Sequence, residues 1–338
     1  MIMTKRMRWA APALLAVSLS VVLGACANTD NGSSGSGTGE PNDIEVVSHN
    51  DVGGGSDVFT RQIIKFMYKD KIINKLWPVR NIPTGDSIGA MSYMVGKKGA
   101  DNVLSQITPT WIVTPMTVSG GSVSLDDLTP IAGIVNEPIV VATRTDSPLN
   151  SMTDYLDAAK AKPGELIQTG GSTTATDNLS RQVIQQQTDA TWKFLSFEDG
   201  GSRITAVLRG DADMMMGSPS DFVQQVEAKK MKVISILGDK PLPLFPGVKT
   251  TDQEGIQLDG LPLQFRGIFG NPDMPKSAVS YYEGAFKKLV DSAAWKKFAT
   301  DNGLLTDYRS SAEFGDYVAE QTKIFATMLE DLGLRKDT

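Results

Sequence analysis

The residues best suited to chemistry form one polar, glycine-rich stretch, His49-Asn50-Asp51-Val52-Gly53-Gly54-Gly55-Ser56-Asp57. Residues 44–48 before it alternate and are β-branched, which predicts a strand, and apolar residues after it recur at helical spacing. Glycines at such a junction let the backbone turn tightly and approach a ligand without Cβ atoms in the way. Ser56 or Asp57 could cap a helix that begins near Asp57, and its first N–H groups would then face an incoming anion. A glycine-rich turn without a ligand is the alternative interpretation.

The same arrangement of strand, small polar loop and helix start recurs in the second half of the chain. A short strand leads into Gly170-Gly171-Ser172-Thr173-Thr174, and Asp177 and Asn178 fall in the first turn of the amphipathic helix that follows. In the first half, the predicted strand Val103–Ile107 ends at Thr108-Pro109-Thr110. These loops place N–H groups and hydroxyls at strand ends, where open α/β sheets bind their ligands.

Five further features have competing interpretations. Asp57 is interpreted as orienting its own loop and capping its helix, because it would repel a ligand carboxylate; an exposed aspartate is the alternative. His49, the only histidine, could touch a ligand, but a packed or surface histidine is favoured. Trp111 could line a cleft or pack in a core. Arg203 could meet a ligand carboxylate, but a solvated helix charge is favoured. Met214-Met215-Met216 is interpreted as buried strand.

Strands and helices alternate along the chain, which predicts an α/β fold with two mainly parallel sheets. About 295 residues follow the amino-terminal region, a length that suits two lobes better than one core. We expect residues 44–142 plus 267–338 to form lobe 1 and residues 143–266 to form lobe 2. The strands near Ile139–Thr143 and Phe265–Phe269 would cross between the lobes. Two lobes joined in this way enclose a cleft, and closure would be a hinge motion at the crossings.

The amino terminus has the features of an export signal. Basic residues in Met1–Arg8 precede a mostly apolar run that is shorter than a membrane span, and small residues end it. Leu23-Gly24-Ala25-Cys26 resembles the lipobox of bacterial lipoproteins, in which the cysteine becomes lipidated after cleavage. We therefore expect a signal peptide at 1–25, a lipid anchor on Cys26 and a flexible tether at 26–43. An ordinary signal peptide with an incidental cysteine is the alternative.

Composition excludes several classes of function. The net charge is −6, 21% of residues are charged, and no basic patch is interleaved with aromatic residues, so we do not expect a nucleic-acid partner. One histidine and one cysteine argue against His- or Cys-based triads and transition-metal clusters, and no Gly-x-Ser-x-Gly motif occurs. The glycine run also lacks the remaining residues of phosphate-loop and dinucleotide motifs. We expect a monomer that is not an enzyme and uses no cofactor or metal; a hydrolase built on scattered aspartates is the alternative.

Short motifs in a fixed order carry a family resemblance. They are Gly53-Gly54-Gly55-Ser56-Asp57 with Arg61, Asp126-Asp127-Leu128-Thr129-Pro130-Ile131-Ala132, Asp146-Ser147-Pro148, Ala159-Lys160-Ala161-Lys162-Pro163-Gly164, Leu208-Arg209-Gly210-Asp211-Ala212-Asp213, and Phe245-Pro246-Gly247-Val248 with Glu254-Gly255. From about Ile44 to the C-terminus, the chain resembles the solute receptors of tripartite tricarboxylate transporters, the Bug or TctC family.

The resemblance implies a two-lobed, type II-like periplasmic-binding-protein fold that closes on a small carboxylate. Family members hold carboxylates mainly with loop N–H groups, hydroxyls and ordered water, not with arginine clamps. Carried over by position, the ligand-binding residues would be Gly53, Gly54, Gly55, Ser56, Asp57, Thr108, Pro109, Thr110, Gly171, Ser172, Thr173, Thr174, Asp177 and Asn178. The sequence departs from the family pattern at His49–Val52, where prolines are usual, at Asn178, where histidine is frequent, and at Asp86-Ser87, where Gly-Ala-Gly is common.

These observations lead to one main hypothesis and two alternatives. The main hypothesis is an extracytoplasmic receptor, lipid-anchored through Cys26, that captures a di- or tricarboxylate or an aromatic acid and delivers it to a membrane permease. The first alternative is a ligand-sensing subunit that presents its closed form to a signalling receptor. The second is a secreted hydrolase.

Overall fold

A computed structural model describes residues 39–119, 123–197 and 199–336, all within one unit, Gly37–Thr338. The predicted signal peptide, Cys26 and the tether up to residue 38 lie outside the described residues. The last residues of the predicted tether lie against the fold: Asn74 Nδ2 and Trp77 Nε1 donate to the Glu40 carboxylate at 2.8 and 2.9 Å. No helix in the described ranges is both long and apolar enough to cross a membrane.

The described residues form alternating strands and helices, as the sequence predicts. The strands are β1 (Glu45–Ser48), β2 (Val79–Asn81), β3 (Val103–Ile107), β4 (Thr129–Glu137), β5 (Val140–Arg144), β6 (Ile167–Gly170), β7 (Lys193–Ser196), β8 (Met214–Gly217), β9 (Met231–Ile236), β10 (Gln264–Gly270) and β11 (Leu305–Arg309). The α-helices are α1 (Gly55–Lys69), α2 (Ile88–Val95), α3 (Thr110–Thr117), α4 (Met152–Ala161), α5 (Thr176–Thr188), α6 (Gly200–Arg209), α7 (Pro219–Glu227), α8 (Lys276–Asp291), α9 (Ala293–Asp301) and α10 (Ser311–Asp331).

The strands form two separate sheets, which confirms the predicted α/β fold. The first has the order β11-β4-β10-β3-β1-β2 and the second the order β7-β6-β8-β5-β9. Both sheets are mixed, whereas we predicted mainly parallel ones. β1 pairs in parallel with β2 and β3, but β10 pairs antiparallel with β3 and β4. In the second sheet β5 is antiparallel to β8 and β9. The chain enters the second sheet at β5 and returns to the first at β10. Each of these two strands is antiparallel to both of its neighbours.

The chain passes twice between the sheets, near the predicted crossings. Pro138 and Ile139 alone separate β4 in the first sheet from β5 in the second. The return runs from β9 through residues 237–263 to β10, which lies wholly in the first sheet. The boundaries that we predicted for the two lobes stay a prediction.

Each sheet is covered by apolar clusters on both faces, as expected for strands that alternate their side chains between two sides. Met214 and Met216 pack in one cluster with Trp192, and Met215 packs in the opposite cluster with Phe222. All three methionines are buried, as the sequence predicts. This packing makes the sheets rigid supports for the loops at their strand ends.

Two elements near the first sheet escaped the sequence prediction. α3 begins at Thr110, directly after Pro109, where we predicted only a turn. β11 pairs with β4 within the carboxyl-terminal region that we predicted to be mostly helical. It is a partly exposed edge strand, and its polar sequence lacks the apolar alternation that identifies a half-buried strand.

Candidate functional site

A cavity of about 350 Å³ lies between loops that follow strands of both sheets. Five helices begin at its wall: α1 contributes Gly55, α3 contributes Thr110, α5 contributes Thr176, α6 contributes Gly200 and α7 contributes Ser220. First-turn N–H groups lack intrahelical acceptors, so helix starts favour negative charge nearby. Several helix starts, in loops that follow strands of both sheets, therefore direct partial positive charge toward the cavity.

Eight of the fourteen predicted ligand-binding residues line this cavity. They are Gly53, Gly55, Ser56, Thr108, Thr110, Gly171, Ser172 and Asp177. The other six, Gly54, Asp57, Pro109, Thr173, Thr174 and Asn178, belong to the same loops but are not part of the lining. The structure thus brings the three predicted loops to one space, and the assignment of ligand contacts stays a prediction.

The first loop is held by side chains of its own residues. Asn50 Oδ1 accepts from Ser56 N–H at 2.9 Å, and Asp57 Oδ2 accepts from Gly53 N–H at 3.0 Å. Gly53 has φ +87°, which favours glycine. A Cβ atom on Gly54 would lie 2.6 Å from Asn50 Cβ, so this position needs glycine for space. The loop shape therefore depends on an internal network before any ligand binds.

That network uses N–H groups that we predicted from the sequence to bind an anionic ligand. The N–H groups of Gly53 and Ser56 donate to side chains and that of Gly54 to the Asp51 carbonyl. Gly55 N–H has no acceptor among the described residues, and Gly55 lines the cavity. Among the glycine N–H groups of this loop, Gly55 N–H is the one that remains for a ligand.

Asp57 orients the first loop, as its sequence interpretation holds, but it does not cap α1. The N-cap position is Gly54, and neither Ser56 nor Asp57 caps the helix, which starts two residues earlier than predicted. Burial raises the pKa of Asp57, but hydrogen bonds from Arg61 Nε, Gly53 N–H and Asn81 Nδ2 outweigh it and hold the pKa below its usual value. Asp57 is therefore an ionised anchor for the loop.

The loop after β6 is built around Asp177 in a similar way. Its carboxylate accepts from Gly171 N–H at 2.7 Å and from Asn178 N–H at 2.9 Å. Asn178 Nδ2 donates to the Thr173 carbonyl at 2.7 Å. Burial raises the pKa of Asp177, although Arg203 and the backbone N–H groups oppose it. The buried carboxylate fixes the loop that presents Ser172 to the cavity.

An ion pair that the sequence analysis missed lies beside the first crossing. Glu137 Oε1 accepts from Arg266 Nε at 2.7 Å, and the side chains are only 1% and 10% exposed. Glu137 Oε2 accepts from Ser218 Oγ, at the start of α7, also at 2.7 Å. The pair therefore connects β4 and β10 of the first sheet to a helix of the second. The one feature of the sequence that could have indicated this ion pair is Glu137 itself, a charged residue before Pro138 at the point where a predicted strand is interrupted.

Arg203 and Asp221 complete the charged lining. Arg203 was interpreted as a solvated helix charge, but it lines the cavity, and its Nε donates to the Phe197 carbonyl at 3.0 Å. Asp221 accepts from Ser218 N–H at 3.1 Å. Burial raises the pKa of Asp221 to about 6, which Glu137 reinforces and Arg203 opposes. In the described part of the chain, no group of three His, Cys, Asp or Glu side chains could hold a metal ion.

His49 and Trp111 are joined by a hydrogen bond. Trp111 Nε1 donates to His49 Nδ1 at 2.9 Å. Trp111 is fully buried in a core cluster, whereas His49 is buried and also lines the cavity. Of the two interpretations of Trp111, core packing agrees with the structure. The favoured interpretation of His49, a packed or surface histidine, describes only part of its surroundings.

Polar contacts also join the two sides of the cavity directly. Thr174, in the loop after β6, donates to Asp86 at 3.0 Å and lies 3.1 Å from the Thr114 hydroxyl. Thr176 donates to Gln264 Oε1 at 2.6 Å. Asp86 occupies one of the positions where the sequence departs from the family pattern, and it contacts the opposite loop.

Comparison with known proteins identifies the family. A sequence model of the tripartite tricarboxylate transporter family receptor matches residues 83–334. The chain belongs to this family. The receptor is 22% identical over 293 residues to the Cupriavidus necator "UPF0065 protein in gbd 5'region", covering 87% of this chain and 88% of that protein.

Solved structures share the receptor's fold. MatC from Rhodopseudomonas palustris, described with bound malate, has a TM-score of 0.74 and 17% identity over 85% of this chain and 98% of MatC. An R. palustris protein described with adipate has a TM-score of 0.77 and 14% identity, covering 86% and 97% of the two chains. At these identities the likeness shows the fold. Family and fold are those of a solute-binding receptor and not of an enzyme.

Proposed function

We propose that this receptor captures a small organic carboxylate in the cavity between the two sheets and delivers it to a tripartite tricarboxylate-type membrane permease. The observation that carries the proposal is the meeting of five helix starts from both sheets at one cavity. The ligand-binding residues that we predicted from the sequence remain part of the proposal. Malate and adipate, described with the two R. palustris proteins, are its first candidates.

A small number of hydrogen bonds to a charged ligand is enough for useful affinity. A hydrogen bond to a charged group contributes about 1.5–3 kcal/mol, and a helix start adds about 0.3–1 kcal/mol. About four to six such contacts offset the cost of ordering a small ligand and leave about −8 kcal/mol, which corresponds to micromolar binding. Gly55 N–H and the Ser56 and Thr110 hydroxyls belong to residues that line the cavity and are available for such contacts.

The charged lining restricts the ligand further. Asp86, Glu137, Asp177 and Asp221 line the cavity with only two cations, Arg203 and Arg266. A ligand with carboxylates alone would place like charges together, which is unfavourable in a buried site. The cavity therefore fits best a carboxylate that also carries hydroxyl or amine donors for these acidic groups. Malate has such a hydroxyl and adipate does not.

Ligand binding can be tested by thermal shift and calorimetry with malate, adipate and a panel of about a hundred organic acids. We expect at least one carboxylate to raise the melting temperature by several degrees and to bind with micromolar affinity, with malate ahead of adipate. A second arm measures uptake of the binding acid by cells with and without the receptor. A panel in which no acid stabilises the protein would reject the carboxylate proposal. Binding with unchanged uptake would favour a sensory role.

We also propose that a lipid on Cys26 anchors the receptor to the outer face of the cell membrane. The supporting observation is the Leu23-Gly24-Ala25-Cys26 motif after an apolar run. We expect mass spectrometry of the mature amino terminus to find a diacylated Cys26, and Cys26→Ser to abolish acylation. A mature protein that keeps a free Cys26 thiol, or begins elsewhere, would contradict the anchor and leave the binding proposal untouched.

A further inference from the structure

The histidine at the cavity wall is held in one tautomer by a tryptophan. An indole N–H can only donate, so the Nδ1 atom of His49, 2.9 Å from Trp111 Nε1, must carry a lone pair. A neutral imidazole has one acceptor nitrogen and one donor nitrogen, and its proton therefore lies on Nε2. Trp111 is fully buried in a core cluster, and its ring meets the His49 ring edge-on at 5.6 Å. The fixed indole therefore selects the Nε2–H form.

The donor that remains on His49 is Nε2–H, which faces no acceptor in the described part of the chain. His49 is 5% exposed and lines the cavity. Within residues 39–119, 123–197 and 199–336, no group accepts from its Nε2 atom. His49 Nε2 is not among the fully buried polar atoms that lack a partner, so it keeps some contact with open space and can donate to a ligand or an ordered water. Because His49 is otherwise buried and lines the cavity, this open contact of Nε2 is on the cavity side.

We propose that His49 is a ligand-binding residue that donates Nε2–H to a carboxylate oxygen of the solute, with Trp111 as the positioning residue that fixes its tautomer. The proposal rests on the proposed function, because it takes the cavity to be the solute site. It adds a donor that the resemblance did not supply, since prolines are usual in the family at the stretch containing His49.

The charge state of His49 fits this role. Burial and the nearby Arg266 lower the pKa of His49 to about 3. The side chain is therefore uncharged at neutral pH, and it adds a directed hydrogen bond without placing a further cation beside Arg266. The receptor thus holds one end of a carboxylate without an unpaired charge when the cavity is empty.

The tautomer can be measured directly because the chain contains one histidine. Long-range ¹H–¹⁵N spectra of the untagged, ¹⁵N-labelled protein at neutral pH would give both ring nitrogens without assignment. We expect the Nε2–H tautomer in the free protein, and a change in the Nε2 signal on adding malate, adipate or the strongest acid of the panel. The Nδ1–H tautomer or an imidazolium would overturn the proposal.

Two substitutions separate ligand contact from structural support. The amide nitrogen in His49→Gln can occupy the place of Nε2, whereas the amide oxygen in His49→Asn can occupy the place of Nδ1. We expect His49→Gln to bind the acid within about threefold of wild type but to melt lower, because Trp111 N–H loses its acceptor. We expect His49→Asn to melt near wild type but to bind about tenfold more weakly, because one hydrogen bond is lost.

The outcomes distinguish this proposal from the proposed function. If His49 only supports Trp111, affinity would follow stability, and the Asn variant would bind better than the Gln variant, which overturns the proposal. An acid that binds wild type without moving the Nε2 signal would overturn the role of His49 alone. If no acid binds wild type, the proposed function fails and the ligand role of His49 fails with it.

Discussion

Two loops at the cavity are built on the same hydrogen bond in different surroundings. In the loop after β1, the Asp57 carboxylate accepts from the N–H of Gly53. In the loop after β6, the Asp177 carboxylate accepts from the N–H of Gly171. Both aspartates lie in the first turn of the helix that follows. A carboxylate in the first helical turn thus holds a glycine N–H of the preceding loop twice, once after a strand of each sheet.

The two carboxylates differ in what opposes their burial. Asp57 also accepts from Arg61 and Asn81, and its pKa is lowered despite burial. Asp177 accepts from the backbone N–H groups of Gly171 and Asn178, and burial raises its pKa against these bonds and the charge of Arg203. The first loop is therefore stabilised by an ionised group, whereas ionisation of the second anchor is costly. Equivalent geometry does not imply an equivalent response to acid or substitution.

The largest effect that we predict is a loss of stability when a glycine near each aspartate is replaced by alanine. In Gly170→Ala, the new Cβ would lie 2.2 Å from Asp177 Oδ2, in the first turn of α5, and 2.7 Å from the Phe194 ring, in β7 of the second sheet. We expect a loss of about 3 kcal/mol in the free energy of unfolding. In Gly54→Ala, the close neighbour is Cβ of the half-buried Asn50, which is followed by the exposed residues 51–53, and a smaller loss of about 1–2 kcal/mol is expected.

Urea denaturation of both variants would measure this difference. Gly55→Ala is the matched control, because its Cβ would meet nothing closer than Arg266 Nη2 at 3.9 Å. We expect the control to unfold close to wild type, within about 0.5 kcal/mol. A larger loss for Gly54→Ala than for Gly170→Ala would show that the first loop is the more rigid of the two.

The second prediction concerns opposite pH dependence of the two anchors. The pKa of Asp57 is depressed, so its ionisation stabilises the fold above the ordinary value of 3.8, and this contribution is lost as pH falls through the folded pKa. The pKa of Asp177 is raised, so its contribution is present below 3.8 and is lost as pH rises through the folded pKa. We therefore expect the deficit of Asp57→Asn to be largest at neutral pH and that of Asp177→Asn to be largest in acid.

Unfolding free energies of wild type and both variants between pH 3 and pH 8 would test these signs. We expect the deficit of Asp57→Asn to grow and that of Asp177→Asn to shrink steadily as pH rises across the range. Wild type provides the reference for all other titrating groups, including Asp221, because these are shared by the three proteins. Deficits that change with pH in the same direction would contradict the difference between the two loops.

The features that could be predicted from sequence depend on local patterns. Glycine and small polar residues between an alternating run and a helical run identified both loops, and the three methionines at 214–216 followed from strand patterning. The role of Asp57 in its loop followed from charge repulsion. These inferences involve residues within about ten positions of one another, where backbone geometry and periodicity carry the signal.

The charged lining could not be predicted because its members are distant along the chain. Glu137 and Arg266 pair across 129 positions, and Ser218 reaches Glu137 across 81. Arg203 resembles any basic residue on an amphipathic helix until the fold places it beside the cavity. The internal use of the Gly53 and Ser56 N–H groups was also missed, because a glycine pattern does not reveal which donors the loop itself consumes.

The smallest effect that we predict is that of removing Arg61, which should make the pKa of Asp57 respond to burial as that of Asp177 does. In Arg61→Ala, Asp57 loses its ion pair, whose arginine is 46% exposed, and we expect a stability loss of at most about 1 kcal/mol that decreases with added salt. Because the hydrogen bond from Arg61 is the largest influence that lowers the pKa of Asp57, its loss should let burial raise this pKa. Carboxyl ¹³C titration would follow the shift, with Lys65→Ala, an exposed cation on the same helix, as the control. An unchanged pKa would mean that Gly53 N–H and Asn81 alone maintain the charge of Asp57, and that the two loops differ through these neutral donors and not through the arginine.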